Sequence, residues 1–153
     1  MSRSYKTTIV AGLALLLAGV MAPAVAGTPE EAKALCEKAS ALVVAEGEKA
    51  FAKIDDPAGE FVQGDMSVAV FDHTGVMRAH MNPKLVGINM WESSDPDGAK
   101  FVQDQLKISD TAGSGWYTWK YVNFVTKKIG PKKGWVQKAG EFTVISSASI
   151  SAQ

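Results

Sequence analysis

The sequence predicts an α+β domain, in which a long N-terminal helix precedes a five-stranded antiparallel sheet with a short helical insertion. Two observations carry this prediction. Apolar residues recur at helical spacing over residues 28–54, whereas five later segments within residues 67–150 are rich in β-branched and aromatic residues and are separated by turn residues. A helix followed by a run of short strands is typical of α+β domains.

The first 26 residues have the pattern of a secretory signal peptide. Arg3 and Lys6 make the start positive, residues 9–21 form an uncharged apolar run, and Ala24-Val25-Ala26 matches a cleavage site. We expect cleavage after Ala26, which leaves residues 27–153 as one domain in the periplasm or outside the cell. The alternative is an uncleaved membrane anchor, although the apolar run is shorter than the ~20 residues that a membrane span needs.

Charge and cysteine content narrow the class of protein. The full sequence has 16 basic and 16 acidic residues, and loss of Arg3 and Lys6 leaves 14 basic against 16 acidic residues, a net charge of −2. We therefore expect no nucleic-acid partner, which would require a basic excess, and no membrane insertion once the leader is removed. The single cysteine, Cys36, cannot form an internal disulfide. It is either a small packed residue or, if exposed, a cross-link between two subunits.

The N-terminal helix is expected to run without interruption over residues 28–54. Thr28 can cap it, Pro29 suits its first position, and Glu31 completes a capping box. Gly47 should weaken the helix without stopping it. The same apolar face could pack on the sheet or on a second subunit in a homodimer, and it is expected to include Leu35, Leu42 and Phe51.

The strands and the inserted helix follow from alternation and turn residues. Residues 67–71 and 76–79 flank a turn at 72–75 that is typical of a hairpin. Asp95 and Asp97 indicate a turn and a helix cap rather than a calcium loop, because the spacing of an EF-hand is absent. The remaining elements are a short helix with Phe101, Val102 and Leu106 on one side, and strands over residues 113–121, around residues 135–136 and over residues 141–150.

Five segments, taken in order, resemble one known family. They are the Phe-Asp-His-Thr-Gly of residues 71–75, the Ala-His-Met-Asn-Pro-Lys-Leu-Val-Gly of residues 79–87, Trp91 with the Asp-Pro-Asp-Gly of residues 95–98, the Gly-Ser-Gly-Trp-Tyr-Thr-Trp of residues 113–119, and the Pro-Lys-Lys-Gly-Trp-Val of residues 131–136. This order resembles a single Cache domain of the Cache 2 type, an extracytoplasmic sensor module related to PAS domains, here in a stand-alone secreted form.

The resemblance implies a PAS-like fold and a function in sensing. A domain of this kind binds a small polar metabolite, such as a short carboxylate, in a pocket lined by the sheet. No output module follows the domain in this sequence. We therefore expect the signal to pass through a partner protein, such as a membrane receptor or a sensor kinase.

The resemblance also suggests a lysine as the main ligand-binding residue. Lys132 matches the family's Pro-Lys strand, and its ammonium group would supply a point charge for a carboxylate or a carbonyl. The family pattern favours Lys132 over its neighbour Lys133. The alternative is a solvated basic edge of the sheet, formed by Lys127, Lys128, Lys132 and Lys133.

Aromatic residues and a histidine complete the predicted site. Alternation along a strand places Tyr117, Trp119 and Tyr121 on one face, with Trp116 and Thr118 on the other, but it does not tell which face lines the pocket. His80 is expected at the rim, where it either donates to a bound anion or ties down its loop. The family pattern suggests Tyr117, Trp119 and Trp135 as aromatic walls and Trp91 as a further ligand-binding residue.

The motifs for catalysis, metals and cofactors are missing. The sequence has no nucleophile elbow, no P-loop and no dinucleotide fingerprint, and its two histidines lack carboxylates at metal-ligand spacing. We therefore expect a binding protein with no cofactor and no metal. Two alternatives are a small enzyme that uses His80 and Lys132 as acid and base, and an assembly subunit whose pocket is filled by side chains.

Overall fold

The structure is a computed structural model, and it describes residues 26–151. The predicted signal peptide therefore lies almost wholly outside the described residues. Within residues 26–151, no helix has both the length and the hydrophobicity needed to cross a bilayer. The elements, in chain order, are α1 (Pro29–Glu46), a 3-10 turn (Gly47–Ala50), α2 (Phe51–Asp55), β1 (Val68–Phe71), β2 (Met77–His80), α3 (Phe101–Ala112), β3 (Ser114–Val122), β4 (Ile129–Ala139) and β5 (Phe142–Ser149).

The N-terminal helix begins as predicted but is interrupted. The Thr28 hydroxyl accepts from the backbone N–H of Glu31, and the Glu31 carboxylate accepts from the N–H of Thr28, so the capping box is present. The long N-terminal helix predicted over residues 28–54 is present as a continuous helical run over residues 29–55, but Gly47 divides it. Gly47 has a positive φ of 61°, and its N–H bonds the carbonyl of Val43, which ends α1. The chain then passes through the 3-10 turn into α2 because glycine adopts this left-handed backbone without a steric penalty.

The five strands form one antiparallel sheet, which confirms the predicted α+β fold. The spatial order is β2-β1-β5-β4-β3, so β2 and β3 are the edges. All four neighbouring pairs are antiparallel. The predicted hairpin is present, since β1 and β2 are joined by a turn in which the Asp72 carboxylate accepts from the N–H groups of Thr74 and Val76.

The two faces of the sheet cover two different cores. Helix α1 packs on β4 and β5, and buries Leu35, Ala39 and Val43 on the face that we call the helix face. The opposite face, which we call the α3 face, packs against α3 through Phe101, Val102 and Leu106. Of the residues predicted on the packing face of the N-terminal helix, Leu35 and Phe51 are buried, whereas Leu42 is only partly buried at the margin of the same core.

Cys36 belongs to the helix-face core. It is fully buried, and its thiol donates to the carbonyl of Val144 at 3.3 Å. Burial raises the pKa of the Cys36 thiol to about 12, so the thiol stays protonated. The structure thus supports a small packed residue and contradicts an exposed thiol that cross-links two subunits.

The predicted turn before α3 is present, but the predicted cap is not. The Asp95 carboxylate accepts from the N–H groups of Asp97 and Ala99 at 2.9 Å each, which closes the turn. Helix α3 starts later, with Lys100 at the N-cap position and no side-chain cap bond. Asp95 instead reaches across to the N–H of Lys120 on β3 at 3.2 Å, and it fastens the turn to the sheet.

Candidate ligand-binding cavity

The α3 face of the sheet, α3 itself and the loop after β2 enclose a cavity of about 250 Å³. This volume lies near the lower end of ordinary ligand sites, which are ~300–1,000 Å³. It is large enough for a small metabolite and too small for a nucleotide. A pocket filled by side chains, as the assembly alternative requires, is therefore not what the fold contains.

Strand register makes one end of the cavity polar and the other apolar. On the α3 face, Lys132 of β4 stands between Trp119 of β3 and Ser149 of β5. Further along the strands, Ile145 pairs with both Ala69 and Val136. Because cross-strand partners share a face, the register itself sets a gradient from the Lys132 ammonium group to an aliphatic floor.

Lys132 is a buried cation, and few neighbouring groups offset its positive charge. Its side chain is 5% exposed, and its Nζ donates to the backbone carbonyl of Asp65 at 3.3 Å. Burial lowers the pKa of Lys132, and the negative charge of Asp65 partly opposes that shift. Among the described residues that line the cavity, Lys132 is the only lysine or arginine, and none is an aspartate or glutamate. The predicted alternative of a solvated edge is therefore wrong for Lys132.

Three buried side-chain atoms on cavity-lining residues lack hydrogen-bond partners among the described residues: Nε1 of Trp119, Nε2 of Gln105 and Oγ of Ser146. Trp119 is 8% exposed and stacks on Phe101, with ring centroids 6.4 Å apart and planes 13° apart. Its Nε1 has no hydrogen-bond partner among the described residues, and neither has Nε2 of the buried Gln105 on α3. Buried polar groups are almost always paired in folded proteins. Unpaired donors beside a cavity therefore favour a ligand that brings acceptors.

His80 ties down its loop, which is one of the two roles considered for it, and it also borders the cavity. Its Nδ1 accepts from the N–H of Asn82 at 3.0 Å, which ties down the loop after β2. Its Nε2 lies 3.5 Å from the Ser67 hydroxyl oxygen. Since Nδ1 accepts, a neutral ring carries its proton on Nε2 and donates it towards Ser67. Burial lowers the pKa of His80, and the charge of Lys132 adds to this shift, while Asn82 and Asp55 oppose it.

The structure brings together three of the six predicted site residues. Lys132, Trp119 and His80 border the same cavity. Tyr117 shares their face, but its hydroxyl donates to Asp104 of α3 at 2.7 Å and its ring lies beyond that of Trp119. The prediction that Tyr117 is a wall of this cavity is therefore corrected.

Trp135 and Trp91 also lie outside the cavity, contrary to expectation. Trp135 is on the helix face, where it packs edge-on against Trp116 with ring centroids 5.0 Å apart and lies under the ammonium group of Lys33. Side chains two positions apart on a strand share a face, so Trp135 lies on the same face as Lys133 and cannot share a pocket with Lys132. Trp91 is exposed in the loop before α3 and borders a shallow surface depression with His73.

Several residues of the cavity were missed from the sequence. Gln105 had a usable signal, because a polar residue one turn after Phe101 and next to Leu106 falls on the buried face of α3. Ser67 follows the alternation of β1 and could have been placed with Ala69. Asp65, which does not line the cavity but contacts Lys132, had no signal, since it lies in an irregular connector whose position only the folded chain defines. Among residues 26–151, no group of histidine, cysteine, aspartate and glutamate side chains could hold a metal ion.

A closely packed glycine of β4 yields a stability prediction. A Cβ on Gly134 would lie 2.8 Å from the carbonyl oxygen of Ser146 and 3.1 Å from the Trp119 ring. We expect Gly134→Ala to lower the free energy of unfolding by about 1–3 kcal/mol, as overpacking does. Gly130→Ala is the matched control on the same strand, because a Cβ there meets nothing within 4 Å. Equal free energies of unfolding for the two variants in urea titrations would show that position 134 tolerates a side chain.

The buried histidine yields a pH prediction. Because burial holds the pKa of His80 in the folded protein below its ordinary value of 6.5, the unfolded chain binds more protons just below that pH. Stability should therefore fall as the pH drops below 6.5, whereas the lowered pKa values of Asp65, Asp72 and Asp95 act at more acidic pH, around and below their ordinary value of 3.8.

The measurement is the free energy of unfolding by urea between pH 7.5 and pH 5. We expect His80→Gln to flatten this part of the profile, because it removes the group that must charge on unfolding. His73→Gln, which removes an exposed imidazole, is the control. A His80→Gln profile as steep as that of the unsubstituted protein would assign the slope to other groups.

The fold is that of a PAS-like α+β domain, and comparison with known proteins places the chain in a family. The Cache domain family model matches residues 48–150, and the chain belongs to this family. The resemblance that was inferred from its motifs is thereby confirmed. Among curated protein sequences, none matches the chain significantly.

Three solved structures share the fold. A methyl-accepting chemotaxis protein from Vibrio parahaemolyticus RIMD 2210633 has a TM-score of 0.66 at 16% identity, covering 79% of this chain and 87% of its own. The periplasmic sensor domain of a chemotaxis protein has a TM-score of 0.62 at 23% identity, covering 80% and 90%. A Cache chemosensory domain described for carboxylic acid recognition has a TM-score of 0.60 at 19% identity, covering 80% and 88%. At these identities the similarity establishes the fold alone.

Proposed function

We propose that this protein is a periplasmic sensor-type binding protein for a small carboxylate, and that it signals through a partner protein. The observation that carries the proposal is the buried ammonium group of Lys132 in a cavity whose described lining includes no acidic side chain. Transfer of a charge into a protein interior is costly unless a counter-charge accompanies it. A bound carboxylate would supply that counter-charge.

The polarity of the cavity favours one kind of carboxylate. The carboxylate would meet Lys132 and the unpaired donors of Trp119 and Gln105, while an aliphatic tail would lie over Ala69 and Ile145. A dicarboxylate would bring a second charge to the apolar end, where nothing offsets it. We therefore propose a short monocarboxylate, with room for a hydroxyl or keto group near Ser67.

The hydrogen bonds of His80 and Lys132, the candidate acid and base, favour binding over catalysis. A general base must present a free nitrogen to its substrate, yet Nδ1 of His80 already accepts a backbone N–H. Lys132 is paired with a carbonyl oxygen and has no carboxylate within hydrogen-bonding distance in the described structure. The named relatives, which include a chemosensory domain for carboxylic acids, support the same choice by analogy.

Calorimetry of the purified protein tests the proposal. The panel consists of acetate, propionate, pyruvate, succinate, glycine and propylamine, and the protein is followed for turnover of each. We expect saturable binding of at least one of the three monocarboxylates, and weaker or absent binding of succinate and propylamine. A monocarboxylate present at 100 times its dissociation constant should add about 2.7 kcal/mol to the free energy of unfolding. Binding of the amine alone, or turnover of a panel member, would contradict the proposal.

The proposed location depends on the leader sequence. If residues 1–26 are a cleaved signal peptide, the intact mass of the protein recovered from a periplasmic extract should correspond to a chain that begins at Gly27. A mass that retains residues 1–26 would support the membrane-anchor alternative. The signalling partner, a membrane receptor or sensor kinase, and a homodimer formed through the N-terminal helix remain proposals that crosslinking in the periplasm would examine.

A further inference from the structure

Asp65 is a buried residue whose carboxylate accepts several hydrogen bonds. It lies in a tight turn, in which Gln63 and Met66 exchange both backbone hydrogen bonds, and its side chain is 4% exposed. The carboxylate accepts from the backbone N–H of Gly27 at 2.9 Å, from the N–H of Ser149 at 3.1 Å and from the amide of Asn123 at 3.1 Å. It thereby joins three segments that are far apart in sequence.

Asp65 also contacts Lys132, the lysine that lines the cavity. Nζ of Lys132 donates to the backbone carbonyl of Asp65, and the charges of the two residues attract each other. Asp65 is held in its ionised form, because the hydrogen bonds from Gly27 and Ser149 outweigh the effect of burial and keep its pKa below its usual value. The turn therefore stands between the ligand-facing lysine and the segment that leads into α1.

The segment that leads into α1 is closely fitted to this turn. Gly27 precedes the capping residue Thr28, and a Cβ on Gly27 would lie 2.4 Å from Sδ of Met66. At the other end, Ser149 is the last residue of β5. Any displacement of the Asp65 turn must consequently reach both the start of α1 and the end of the sheet's central strand.

From this arrangement we infer that Asp65 couples occupancy of the cavity to the start of α1 and the end of β5. The inference rests on the proposed function, since it assumes that an anion binds at Lys132. A carboxylate that binds there uses N–H donors of Nζ that the Asp65 carbonyl leaves free, offsets the positive charge that attracts the Asp65 carboxylate, and repels that carboxylate. The attraction between Lys132 and the turn then weakens, and with it the hold of the turn on Gly27 and Ser149.

Rates of hydrogen exchange distinguish this coupling from ordinary stabilisation by a ligand. A ligand that merely stabilises the folded state slows hydrogen exchange in every region that opens by global unfolding. We expect propionate, or whichever monocarboxylate of the panel binds, to accelerate exchange in peptides covering residues 26–35 and 146–151 by about fivefold, the lower end of ordinary coupling free energies. Exchange over α3, which borders the cavity, should slow.

Two variants provide the test. In Asp65→Asn the coupling should be lost, so that ligand binding is retained but exchange at residues 26–35 no longer responds to the ligand. Lys132→Met without ligand should imitate occupancy, because it removes the attraction of Lys132 for the Asp65 turn, and exchange at residues 26–35 should rise as it does in the liganded protein. Lys133→Met, on the opposite face, is the control and should leave this exchange unchanged.

The outcomes separate the inference from the proposed function. If no carboxylate of the panel binds, the proposed function fails, and ligand-free Lys132→Met still decides the coupling. If ligand binds while exchange at residues 26–35 slows or stays constant, the coupling is overturned and the binding function stands. If Asp65→Asn does not fold, equal exchange of Lys132→Met and Lys133→Met at residues 26–35 overturns the coupling by itself.

Discussion

Replacement of Lys132 by methionine is expected to weaken binding of a monocarboxylate by roughly one to two decades. A hydrogen bond to a charged group contributes about 1.5–3 kcal/mol, and each decade of affinity corresponds to about 1.4 kcal/mol. Methionine retains the unbranched stem and removes the charge. The fold should not lose stability, because burial already penalises the ammonium group, as its lowered pKa indicates.

Lys133→Met is the matched control for this prediction. Lys133 is the next residue of β4, but it lies on the helix face, where its Nζ is 4.9 Å from the centre of the Trp116 ring. Its removal should leave the dissociation constant unchanged. Calorimetry decides the matter: equal losses in the two variants, or a larger loss in Lys133→Met, would mean that the ligand does not occupy the α3 face.

Truncation of Leu35 is expected to have the largest effect on stability. Leu35 is 3% exposed in the core between α1 and the sheet. Leu35→Ala should cost about 2–5 kcal/mol of the free energy of unfolding, since it removes buried methyl groups and leaves a cavity. For a domain of this size such a loss is a large share of the total stability.

Leu42→Ala is the corresponding control on the same helix. Leu42 lies at the margin of the same core and is only partly buried, so its truncation should cost less than about 2 kcal/mol, the lower limit for a fully buried leucine. Urea denaturation of both variants gives the comparison. A larger loss for Leu42 would indicate that the margin of α1 is covered in solution, for instance by a second subunit.

The type and order of the elements could be predicted because they depend on local signals. The capping box at Thr28 and Glu31, the hairpin turn at Asp72 and the alternation along β3 each involve residues close together in sequence. The break at Gly47 was underestimated, although glycine was recognised there. Whether a glycine in a helix is tolerated or adopts a positive φ depends on where the following segment packs, and here Phe51 and Ile54 enter the core beneath the sheet.

The site was predictable only in part, for a geometric reason. Alternation correctly grouped Tyr117 with Trp119 and separated both from Trp116. The family pattern favoured Lys132 over Lys133; Lys132 lines the cavity, and its role in binding stays a prediction. The family pattern did not reveal that Trp135 lies on the helix face, opposite to Lys132. Nor could it show that Tyr117 is engaged by Asp104, because that contact depends on the position of α3.

What the sequence determined by itself was the α+β order and the family. These follow from local propensity, from turn chemistry and from ordered motifs. The tertiary structure alone decided which side chains share a cavity and which carboxylate stands behind the lysine. Asp65 lies 67 residues from Lys132 in the chain. Such contacts between distant segments are set by strand register and by packing around Gly27 and Ser149, and no local pattern encodes them.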